Sequence, residues 1–152
     1  MLDRFPGTLL EGAVADMLNS GAFAANLRKV RGIYREARDV LASTLSTASL
    51  GKLSVPVPSQ GLHLVARFDP STDPGIAAQA KAEAGVAGWL LAETYFRARP
   101  LPGFVLGFAG HRLPQLIASA ERLAKASLAA LQASHQPSKG GTGKIKRRKA
   151  AT

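Results

Sequence analysis

Residues 23–45 read FAANLRKVRGIYREARDVLASTL. Phe23, Leu27, Val30, Ile33, Tyr34, Ala37, Val40, Leu41 and Leu45 fall mostly three and four apart, which lines them along one side of a helix. Arg28, Lys29, Arg31, Arg35, Arg38 and Asp39 occupy the other side. The same spacing runs upstream through Leu9, Leu10, Ala13, Val14, Met17 and Leu18. Residues 8–47 therefore read as helix with a weak break at Gly21, either two helices or one with a kink. Ser20 is a candidate N-cap and Gly51 a candidate terminator.

Downstream the period changes. Leu53, Val55 and Val57 alternate with Lys52, Ser54 and Pro56, and Leu62, Leu64, Ala66 and Phe68 alternate with His63, Val65 and Arg67. With Ser59-Gln60-Gly61 as the turn, this pattern predicts a β-hairpin. Pro56 and Pro58 confine its first arm to an edge. Asp73 followed by Pro74 predicts a helix start, and Gly85 its end, giving a short helix over about residues 74–84. Residues 86–91 read as a small strand or connector, 95–103 as a loop, 104–108 as a strand, and 114 to about 132 as a last helix with Leu116, Ile117, Ala120, Leu123, Ala124 and Leu128 on one side. The expected class is α+β, with a long N-terminal helix, a small sheet and a C-terminal helix.

Composition narrows the function classes. The 152 residues are 46% apolar and 20% charged, enough for one packed domain. The absence of cysteine removes disulfides, thiolate metal sites and cysteine nucleophiles. His63, His111 and His135 are too scattered for a metal site. No apolar run reaches the roughly 18 residues of a membrane span, and Met1 to Gly7 lack the pattern of a secretory signal. A soluble cytoplasmic protein is expected. The net charge of +10 is unevenly spread: residues 137–152 hold six basic residues and no acid, which leaves the body mildly basic.

Few residues suggest chemistry by themselves. A lone histidine on a strand, as His63 is, is more often structural than catalytic. Gly143-Lys144 has the second half of a phosphate-loop pattern, but Ser138 stands at its first glycine and Ile145 at its Ser/Thr, so the glycines read as linker. Lys144, Lys146, Arg147, Arg148 and Lys149 form a basic run suited to contacting polyanions without sequence preference. It has no aromatic residues for base stacking. The arginine row Arg28, Arg31, Arg35 and Arg38 reads as a solvated or interdomain face, or as an anion-binding ridge. Arg97 and Arg99 sit in a proline-rich loop and have the fork geometry that holds carboxylates.

Taken together, several segments resemble the C-terminal small domain of MocR-type regulators of the GntR family. The carriers are Gly21 and Phe23, then Arg31, Tyr34, Arg38 and Asp39 in an Arg-x-x-Tyr-x-x-x-Arg-Asp pattern. Gly61-Leu62-His63, Gly85-Val86, the loop at Tyr95, and Gly103-Phe104-Val105-Leu106-Gly107-Phe108-Ala109 follow in the family's order. Asn26 departs from it, standing where relatives often have histidine. The resemblance spans about residues 8–133, leaving 1–7 as a non-matching start and 134–152 as a disordered basic tail.

That family joins a winged-helix DNA-binding domain to a fold-type-I aminotransferase-like domain that binds pyridoxal phosphate. The resemblance implies a small domain that closes over cofactor and substrate. Its partner would be a large domain or a second subunit, with DNA reached through a winged helix. It also implies a truncated or split gene product, because the cofactor lysine belongs to the large domain; the chain alone would then bind no cofactor and catalyse nothing. Ser138-Lys139 lies in the polar tail and is not that lysine. In related class I aminotransferases an arginine near the last strand grips the substrate carboxylate. Here the strand offers Val105, and Arg97, Arg99 and Arg112 lie nearby, the first two being the candidates. Two further readings stand beside this one: a polyanion-binding module acting through the basic tail, and an interaction fragment exposing an apolar stripe.

Overall fold

The computed structural model describes residues 8–96 and 100–135. Helix α1 (Thr8–Asn19) and helix α2 (Ala22–Ala48) are separated at Ser20-Gly21. Gly21, not Ser20, takes the cap position, in the left-handed region at φ 74° that glycine adopts without a steric penalty. The Ser20 hydroxyl donates back to the Met17 carbonyl and accepts a long bond from the Ala22 amide at 3.4 Å.

The apolar stripe of α2 has the expected period, but only its second half is covered. Ala37, Leu41, Ala42 and Leu45 are buried, whereas Phe23 and Ile33 are exposed, as are Leu10, Val14, Met17 and Leu18 on α1. Helix α2 ends in a tight turn. Gly51 at φ 72° donates from its amide to the Ser46 carbonyl, and buried Ser49 accepts from the Leu53 amide.

The expected hairpin does not form. Strand β1 (His63–Arg67) meets the upstream arm only at the Ser54–Arg67 bridge, and its main partner is β3 (Gly103–Gly107). Pro56 and Pro58 have no N–H to give a ladder, so the arm stays extended and the strand pairs with a distant one instead. Strand β2 (Trp89–Leu90), shorter than expected, pairs with the other edge of β3, and the antiparallel order is β1-β3-β2. A 3-10 turn, Leu91–Thr94, follows it.

Helix α3 (Pro74–Ala84) forms as its capping residues require. Asp73 accepts from the Gly75 amide at 2.6 Å, and Gly85 closes the end at φ 59°. Helix α4 (Leu113–His135) runs a few residues past the expected end. Ser134 donates its hydroxyl to the Leu131 carbonyl there, and the His135 ring also lies against that carbonyl. Both side chains thus fold back onto the last turn of the helix.

The three helices α2, α3 and α4 cover one face of the sheet. Leu64, Ala66, Phe104, Leu106 and Phe108 point into this core against Leu45, Leu123 and Ala120. Phe68 meets Phe104 edge-on at 5.7 Å. Helices α3 and α4 pack together and both bury small residues, Ala77 and Ala80 on α3 and Ala124 and Ala130 on α4. Close approach governs the sheet. A Cβ on Gly103 would run into the Ala66 carbonyl and lie 3.0 Å from the Arg67 Cα.

Candidate functional site

The face of the sheet away from the helices follows from strand alternation. Val105 stands between Val65 on β1 and Trp89 on β2 in one cross-strand row. Val65 and Val105 are half-buried, while Trp89 is 57% exposed. His63 is paired with Gly107, which has no side chain to separate it from β2, and its ring lies 5.7 Å from that of Trp89. His63 is thus part of an apolar and aromatic surface, with no carboxylate or nucleophile bonded to it among the described residues. Arg67 shares this face by alternation and is exposed. Sequence reasoning placed it there without counting it among the anion-binding candidates.

A cleft of about 450 Å³ opens between α4 and the Val86-Ala87 connector. His111, Gln115, Ser119 and Arg122 supply its polar lining, and Leu106 and Leu116 part of its apolar wall. The Arg122 guanidinium donates to the Ala84 carbonyl at 3.3 Å, placing a cation at the C-terminal end of α3, where the helix dipole favours one. No carboxylate and no lysine lines this cleft. It has no acid–base pair, so its lining suits binding rather than proton transfer.

The family-like residues on α2 do structural work. Tyr34 packs against the core. Arg38, its side chain 18% exposed, donates Nη1–H to the Pro58 carbonyl at 2.8 Å. Its Nε and Nη2 both reach Asp39 Oδ1 at 2.8 Å. The Arg-Asp pair therefore fastens α2 to the extended segment leading into β1. Sequence alone put Arg38 on a solvated face, because its main-chain partner leaves no mark in the pattern.

Arg97 and Arg99 lie outside the described residues, as do Lys144, Lys146, Arg147, Arg148 and Lys149. Arg112 is exposed beside the start of α4. Among the described residues no group of three histidine, aspartate and glutamate side chains is placed to hold a metal, and no helix is long and apolar enough to cross a membrane.

The fold defines the class. It matches the crystal structure of LysN, an alpha-aminoadipate aminotransferase from Thermus thermophilus, with a TM-score of 0.66 at 20% identity. The match covers 79% of this chain and 31% of that one. The chain is thus an α+β domain that shares its fold with part of that aminotransferase. In sequence it is 31% identical over 107 residues to the probable rhizopine catabolism regulatory protein MocR of Rhizobium meliloti. The sequence likeness is thus to a MocR regulator, and the fold likeness is to part of an aminotransferase. The aligned part is 70% of this chain and only 22% of that protein's length. The chain matches no protein-family model.

That structure was solved with N-(5'-phosphopyridoxyl)-L-leucine, which raises the fit of pyridoxal phosphate here. The group needs a lysine amine for its aldehyde and a cradle for its phosphate. None of the described lysines is buried: Lys29, Lys81 and Lys125 stand on helices, and Lys52 lines a hollow with Ser54 and Arg67 at the end of β1, where the Asp69 carboxylate opposes a phosphate. The described residues do not make a site for the group, and no chemical step is derived through it.

Proposed function

We propose that residues 8–133 are the aminotransferase-like small domain of a MocR-type transcriptional regulator, with 134–152 as a basic tail. The observation that carries this reading is the 31% identity to MocR over 107 residues, on a fold shared with an aminotransferase. The large domain with its cofactor lysine, and the winged helix that contacts DNA, belong to sequence beyond the matched region. Pyridoxal phosphate binds in the complete protein, in the cytoplasm, and this chain alone does not transaminate.

In that setting the small domain closes over cofactor and substrate. Arg97 and Arg99, in the segment entering β3, meet the substrate carboxylate, since β3 itself presents Val105. The exposed stripe of α1 and the first half of α2 supports the reading: Leu10, Val14, Met17, Leu18 and Phe23 are what a covering domain buries.

Reading the DNA upstream of the Met1 codon in all three frames tests the proposal. A winged-helix segment and a large domain with its lysine, intact or interrupted, are the expected result. Their absence from every frame overturns it.

A further inference from the structure

The arginine row on α2 faces a groove. Arg31, Tyr34, Arg35 and Arg38 form one wall, residues 59–62 the other, and Phe108 the floor, enclosing about 270 Å³. No acidic side chain lines it. Arg38 is occupied by Pro58 and Asp39, and by holding Pro58 it fixes the second wall. Arg31 and Arg35 are exposed and make no hydrogen bond or ion pair among the described residues. Two guanidinium groups one helical turn apart, about 5–6 Å between their Cβ atoms, stand ready with Tyr34 beside them. Each fork matches the geometry of one carboxylate or phosphate group.

We infer that this groove binds a compact small molecule with two anionic groups, phosphate or carboxylate, Arg31 and Arg35 each taking one. The concave shape and small volume favour such a ligand over a long polymer, which needs an open track. The inference does not rest on the proposed regulator role, since it uses only this chain's own residues.

Calorimetric titration of the full chain with pyrophosphate and, separately, with glutarate tests it. The expected result is one-to-one binding of at least one probe; which one binds tells phosphate from carboxylate. Arg31→Gln and Arg35→Gln should each weaken it about tenfold or more. Both residues are exposed, so thermal melting should stay unchanged and folding is controlled. Replacing Lys144, Lys146, Arg147, Arg148 and Lys149 together by glutamine should leave binding in place. The inference is overturned if neither probe binds at millimolar concentration, or if binding follows the tail substitutions and ignores Arg31 and Arg35. Tighter binding of a short DNA duplex through the same two arginines also overturns it, assigning the face to nucleic acid.

Discussion

Arg38 reaches across from α2 to the carbonyl of Pro58, twenty positions later in the chain, at 2.8 Å. Proline has no N–H, so its carbonyl is the one backbone group that residue can offer, and a charged donor takes it. Arg38→Gln should cost about 1.5–3 kcal/mol, the range for a hydrogen bond to a charged group. Chemical denaturation gives the total. Amide exchange should rise mainly in residues 56–62, whereas an even rise over α2 would place the loss elsewhere.

Gly103→Ala should destabilise the fold by about 1–3 kcal/mol, because the added methyl collides with the Ala66 backbone. The neighbour is main chain and cannot swing away. The loss should appear as a lower melting temperature and a weakened β1–β3 pairing in amide exchange. Alanine tolerated at no cost would mean that the two strands stand further apart.

Ser127 is fully buried and its hydroxyl has no partner among the described residues. Ser127→Ala removes an unmet polar group at little change in volume. Stability should stay level or rise by about 1 kcal/mol. A clear loss of stability would reveal a partner for the hydroxyl.

Asp69 accepts from both the side chain and the amide of Ser71, and these bonds hold its carboxyl below the usual carboxylate range. A depressed folded-state value means that the stabilising effect is present above the unfolded value. It is lost as pH falls through the folded one. The Asp69 carboxyl should therefore titrate below 3.8 by NMR. Ser71→Ala removes the first and larger cause and should move the midpoint back up. No upward movement would assign the shift to the amide alone.

Local chemistry was legible in the sequence and distant pairing was not. Helix α3 followed from Asp73, Pro74 and Gly85 because each acts within a turn of its own position. The hairpin was misread because alternation tells which side chains are buried, not which strand lies alongside. Leu64 and Ala66 were correctly turned inward while the partner of β1 lay some forty positions further on. The candidate site divides in the same way. The alternation of His63, Val65 and Arg67 predicted the open face, but the contact between His63 and Trp89 depends on β3 lying between them. The fastening role of Arg38 was hidden for the same reason, since a carbonyl oxygen carries no residue identity.

The chain has one tryptophan, and it stands on the open sheet face beside His63. The protein therefore carries its own optical reporter. Trp89 in water should emit at long wavelength, and any partner that settles on the sheet should shift the emission to the blue. A partner that covers only α1 and the front of α2 should leave the colour unchanged. One spectrum would then tell which of the two bare surfaces an added domain has chosen.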